Sequence, residues 1–263
     1  MNAFAELLNL VPLWALFLLT MALCVAEVEV GAALARFVLR RRGEKEPDAP
    51  LGSLVGAMLG LLAFMLAFTF GLAANRFDSR RQLVLEEANS LGTTYLRAGL
   101  MPQPQQAEIR RLLREYVEVR IGGPANDLPE VLRKSDALHD ALWAQTKSLV
   151  PVDMDSELRS LFVASLNETI DLHQSRVTVG IQYRVPGIVW LAMYLLASLT
   201  MLAVGYQTGM AGARRLRGMP IVAAAFALVL ALIADIDRPG EGFIGVSQQP
   251  IADVQQMMRR NSP

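Results

Sequence analysis

A single cysteine, Cys24, excludes any disulfide within the chain. The 25 basic and 25 acidic side chains cancel, so the basic excess that marks a nucleic-acid binder is missing and no nucleic-acid partner is expected. There is no glycine-rich phosphate loop, and no nucleophile has a base and an orienting group close in sequence, so neither an enzyme nor a cofactor is expected. His139 and His173 are the only histidines. They fall on separate amphipathic stretches with no cysteine or acidic cluster at metal-ligand spacing, which reads as two half-buried core residues and no metal site. Strand-type alternation, internal repeats and low-complexity tracts are absent as well.

The chain is instead rich in apolar residues, 53% of its 263 positions, and they are clustered. A helix needs roughly 20 consecutive apolar residues to cross a hydrocarbon core. Four runs approach that length: Leu7 to Ala26, Leu54 to Ala74, Val185 to about Gly205, and Met219 to Ala234, where Asp235 ends the run. The last covers only about 24 Å at 1.5 Å per residue. The only charge before the first run is Glu6, so it lacks the basic leader of a signal peptide and reads as a retained membrane helix.

Between the second and third runs the sequence stays helix-compatible. The second helix has no breaker at its polar end and is expected to continue to about Leu100, with Pro102 and Pro104 as the stop. Ile109, Leu112, Leu113, Tyr116 and Val117 recur at helical spacing, ended by Gly122, Gly123 and Pro124. A further helix is expected from about Pro129 to Leu149. The next is capped by Asp153 or Asp155 and runs through Phe162, Leu166 and His173 directly into the third membrane run near Pro186. The expected fold is all-α: a four-helix transmembrane protein with an extramembrane antiparallel helical bundle. Its parts are residues 1–50 (first membrane helix and basic loop), 51–74 (second membrane helix), 75–184 (bundle), 185–234 (third and fourth membrane helices) and 235–263 (polar tail).

Short loops set orientation through their basic residues. Arg36, Arg40, Arg41, Arg42 and Lys45 follow the first helix, and Arg214, Arg215 and Arg217 join the third to the fourth. Both groups lie on one face, which is expected to be cytoplasmic, with the bundle and both termini outside a bacterial inner membrane.

Three groups of residues are candidates for function. Gly52, Gly56, Gly60, Ala63, Ala67 and Gly71 make a small-residue face on the second helix that allows close backbone approach, either within one chain or between identical chains. Beside it, Phe64 and Phe68 could form a hydrophobic constriction around an oligomer axis. At the membrane boundary, Arg76, Asp78, Arg184, Asp235, Asp237 and Arg238 come to similar depth, and Arg76 or Arg184 is expected to pair with Asp235 or Asp237. On the opposite side, Glu27 and Glu29 are placed at the end of the first helix, within reach of Arg214, Arg215 and Arg217.

Phe64 and Phe68, followed by Arg76 and Phe77, resemble the pore-lining helix of bestrophin anion channels. The stretch from Arg76 to Asn89 with Glu86, Glu87 and Ala88, and the tail from Asp235-Ile-Asp237-Arg238-Pro239-Gly240 to Gln249-Pro250, resemble a bacterial bestrophin-like domain family of unknown function. The resemblance implies a self-associating, pentameric membrane protein that conducts an inorganic anion. The sequence departs from animal bestrophins in three ways. Gly60 stands where a third bulky neck residue would be, a dense acidic calcium clasp is missing, and the basic loops give the opposite orientation. Two function classes therefore stay open: a homo-oligomeric anion channel, and a non-conducting membrane sensor or scaffold whose bundle binds envelope partners.

Overall fold

The computed structural model describes residues 10–42, 48–122, 128–152, 154–212, 218–238 and 242–261. Every regular element among them is helical: α1 (Leu13–Arg42), α2 (Asp48–Ala98), α3 (Gln105–Gly122), α4 (Leu128–Ser148), α5 (Ser156–Val177), a π-helical turn (Thr178–Gln182), α6 (Gly187–Met210), α7 (Met219–Asp237) and α8 (Gln249–Arg260). The all-α expectation holds, and α1, α2, α6 and α7 are each long and apolar enough to cross a membrane. Lys45, Gly123, Pro124, Asp153, Arg214, Arg215, Arg217, Pro239 and Gly240 lie outside the described residues.

The chain divides into two units, residues 1–76 with 184–245 and residues 77–183 with 246–263. In the first, α1 packs along α6 and α7. The α1–α6 seam is drawn tight by glycine. A Cβ on Gly31 would collide with the Leu202 carbonyl, and one on Gly205 with the Val28 carbonyl; one on Gly209 would sit 2.7 Å from the Ala32 oxygen. Thr20 and Tyr194 hydroxyls, 3.0 Å apart, bond across the same seam.

Several boundaries differ from the sequence reading. α1 does not end at Ala26 but runs on to Arg42, so Arg36, Arg40 and Arg41 ride on a helix rather than a loop, and Arg41 stacks 4.6 Å over Phe37. Glu27 and Glu29 are thus mid-helix. Glu27 hydrogen-bonds Ser198 of α6, while its Oε2 is buried without a hydrogen-bond partner among the described residues. α7 continues through Asp235 to Asp237. α5 does not run unbroken into α6. It passes through the π turn, extends at Tyr183, and restarts after Pro186, because proline lacks the N–H for the helical ladder and pushes Val185 away from helical backbone.

The second unit holds the bundle core. Leu91 and Tyr95 of α2, Ile109, Leu113 and Tyr116 of α3, Leu142 of α4 and Phe162 and Leu166 of α5 are fully buried. Asp155 caps α5, accepting from the Glu157 and Leu158 amides at 2.7 and 3.3 Å. Residues 235–263, read as a polar tail, include α8, an amphipathic helix whose Ile251 and Met258 are buried in this core. The Tyr95 hydroxyl donates to the Met258 carbonyl at 3.2 Å and anchors it.

Candidate functional site

α2 is the least buried of the four candidate spans, with 17% of its most apolar stretch covered against 22–39% for the others. Val55, Leu62, Leu66, Thr69 and Ala73, spaced by sevens, fours and threes, form its buried face. At about 100° per residue, Phe64 and Phe68 project roughly 145° round the helix from that face. They are 65% and 53% exposed and their rings stack at 6.5 Å between centroids. The small residues flank them on one side, exposed Leu54 and Leu61 on the other.

The small face has almost no partner among the described residues. A Cβ on Gly56, Gly60 or Gly71 would meet nothing within 4 Å; at Gly52 it would meet only the Gln207 amide, at 3.3 Å. Ala63 and Ala67 are exposed. The close helix contacts inside this chain belong to Gly31, Gly205 and Gly209. Their signal was present in the sequence: Gly205 and Gly209 are four apart, the same spacing as Gly52, Gly56 and Gly60.

The polar boundary residues take different partners from those expected. Asp235 and Asp237 are buried, and their carboxylates accept backbone amides: Asp235 Oδ1 from Phe243 at 2.9 Å, Asp237 Oδ1 from Val185 at 3.0 Å. Among the described residues no ion pair joins Arg76 or Arg184 to either aspartate. Arg238 is buried in the same unit; Asp78 is exposed and belongs to the second unit. Gly242, at φ +131°, lets its backbone press against Asp235, where a Cβ would strike the carboxylate.

The strongest electrostatic feature is one the sequence reading missed. Glu87 of α2, wholly buried, is gripped by Arg176 of α5 and by Arg120 of α3 at 3.3 Å. The Tyr116 hydroxyl donates to Glu87 Oε1 at 2.6 Å and lies 3.0 Å from His173 Nδ1. Arg176 also donates to Gln248, just before α8, at 3.1 Å. Burial alone would raise the Glu87 carboxyl, but the Arg176 and Arg120 charges and the Tyr116 hydroxyl outweigh it and hold it below the usual carboxylate range. Burial, then Arg120 and His139, push the His173 imidazole down to about 4 against the opposing charge of Glu87. The two histidines do not occupy separate surroundings, since their rings pack edge to face at 4.8 Å. Only the step from Glu87 to buried positions one and two turns on, Leu91 and Tyr95, marks this carboxylate in sequence as facing the core.

These features define a helical membrane protein with four candidate spans and a helical bundle stapled by a buried ion-pair network. The sequence matches the Bestrophin-like domain over residues 8–251, and the chain belongs to that family. Its fold is similar to the crystal structure of a bacterial bestrophin homolog from Klebsiella pneumoniae, at 15% identity and a TM-score of 0.65, covering 94% of this chain and 98% of that one. Two structures of mutated forms of a bestrophin homolog from the same organism match at 14% and 15% identity and TM-scores of 0.64 and 0.61. They cover 93% and 95% of this chain and 97% of each of theirs. None of the curated proteins compared with the chain matches it.

Proposed function

We propose that this chain is the subunit of a homo-oligomeric anion channel in which Phe64 and Phe68 form the constriction. The observation that carries the reading is the outward face of α2. Glycine notches at positions 56, 60 and 71 stand open beside a projecting phenylalanine pair. In a closed ring each copy would set its glycine flank against the opposite, leucine-bearing flank of the next, a head-to-tail contact. The phenylalanines would then face the axis, and a ring of them excludes water and ions by dewetting. The resemblance of Phe64, Phe68, Arg76 and Phe77 to the pore helix of bestrophin channels implies a pentamer as the closed form.

The protein purified in detergent is expected to behave as a pentamer by native mass spectrometry; a monomer would sink the reading. In planar bilayers, Phe64→Ala with Phe68→Ala is expected to raise chloride conductance at least several-fold, because the hydrophobic barrier is removed. Currents unchanged by the double substitution would take these residues out of the gate. An absence of current from verified pentamers would favour the alternative, a non-conducting sensor or scaffold, which draws support from the mixed charges of the bundle.

The membrane is inferred to be a bacterial inner membrane, with Arg36, Arg40 and Arg41 at the cytoplasmic end of α1 and the bundle outside. Ser160 of α5 is exposed and the native Cys24 is buried. Ser160→Cys is therefore expected to react with a membrane-impermeant maleimide in intact spheroplasts. Labelling only after lysis would place the bundle in the cytoplasm.

A further inference from the structure

Asp136 and His139 of α4 are three residues apart and share one face of their helix. His173 comes from α5, and one ligand atom from each of the three residues lies within 4.8 Å of the others. His173 Nε2 is 3.8 Å from Asp136 Oδ1. Tetrahedral zinc, with bonds of about 2.0–2.2 Å, sets its ligand atoms roughly 3.3 Å apart. The ligand atoms must close by up to about 1.5 Å to reach zinc geometry, and Asp136, 70% exposed, is the residue best able to move.

Two features of the pocket point to a cation. His139 is 93% buried by its 7% exposure, yet its Nε2 has no hydrogen-bond partner among the described residues. Such an atom costs free energy unless something occupies its lone pair or takes its proton. The second feature is the way His173 is held. The Tyr116 proton goes to ionised Glu87, so the Tyr116 oxygen must accept, and His173 donates to it through Nδ1. That fixes the tautomer and leaves the Nε2 lone pair aimed at the Asp136 carboxylate, an acceptor facing an acceptor. A metal-bound histidine usually donates its other nitrogen in this way to an outer partner, here the Tyr116–Glu87 pair.

We propose that Asp136, His139 and His173 bind a divalent transition-metal ion of the zinc class, with Tyr116 and Glu87 as the outer shell. Three protein ligands leave a fourth position for water on the side where Asp136 meets solvent, which is also the way in. Arg120 and Arg176 are nearby cations, but both are committed to Glu87, and Asp136 and Asp140 add negative charge on the α4 side. The site is independent of the channel reading, since it lies wholly in the second unit and needs no neighbouring subunit.

The test uses the full-length protein in detergent, stripped with chelator and titrated with zinc alone. One zinc per chain is expected to survive desalting, and cobalt(II) substitution is expected to give tetrahedral visible absorption. Asp136→Asn and His139→Gln should each weaken zinc binding by at least about tenfold. Asp136 is exposed, so its variant is expected to fold normally and keeps the test decisive even if His139→Gln does not. Failure of the wild type to retain zinc, or equal binding by wild type and Asp136→Asn, would overturn the proposal.

Discussion

Glu87→Ala is expected to be among the most damaging single substitutions in the second unit. It removes the only carboxylate bonded to Arg120 and Arg176 among the described residues, leaving two largely covered guanidinium groups, 9% and 14% exposed, without their counter-charge. Breaking a buried ion pair from one side costs about 3–5 kcal/mol, and here two pairs break together. Thermal unfolding of the detergent-solubilised protein should drop by roughly 10 °C, at 2–4 °C per kcal/mol for a chain of this size. A loss under about 1 kcal/mol would mean that water already reaches the arginines.

The same cluster sets the acid limit. In the chelator-stripped folded protein His173 is pushed down to about 4 against 6.5 as the ordinary value, and His139 is also lowered by burial. Between those values the unfolded chain binds more protons, so stability falls as pH drops from about 6.5 toward 4. Glu87 adds to the loss at lower pH still, when its depressed carboxyl finally protonates. The groups facing the histidines are Glu87 from α2, Tyr116 and Arg120 from α3, Asp136 and Asp140 from α4, and Arg176 from α5. A melting temperature that is flat from pH 7 to pH 5 would show that the histidines are solvated.

The second large effect is expected at Gly205. A leucine there would drive its Cβ into the Val28 carbonyl, which is backbone and cannot step aside. α1 must then separate from α6, losing the Thr20–Tyr194 bond and stranding Glu27 from Ser198. Dispersion contacts supply most of the attraction between helices in lipid and fall steeply with distance, so we expect Gly205→Leu to abolish recovery of folded protein. Gly56→Leu, on the open face, should leave folding of the single chain intact and instead change assembly. Equal recoveries for the two variants, measured by fluorescence-detected size exclusion, would contradict this division of labour.

Those two glycines also show how far the sequence could be read. The four apolar runs, the continuation of α2 past Ala74 and the core positions of α3 were legible, because each is written in local periodicity. The end of α1 was not. Glu27 and Glu29 look like a membrane boundary until Ser198, far along the chain, supplies a partner. The face of α2 drew attention because its glycines are many. Gly31, Gly205 and Gly209 do the packing, each depending on a backbone in another helix. His139 and His173 are 34 positions apart and carry no mutual signal, since only the folding of α5 against α4 brings them together. α8 was hidden by its polarity, and only one narrow face of Ile251, Val254, Met257 and Met258 betrays it.

The α1–α6 seam joins residues such as Thr20 and Tyr194, 174 positions apart. A ribosome adding roughly 5–20 residues each second needs about 9 to 35 seconds to travel that far. Throughout that interval the first helix stands in lipid with a carboxyl group and a groove of bare backbone on the same face, waiting for the helix shaped to close it. The newborn chain thus passes through a stage at which an insertion chaperone, or another copy's sixth helix, can take the place that its own α6 will later fill.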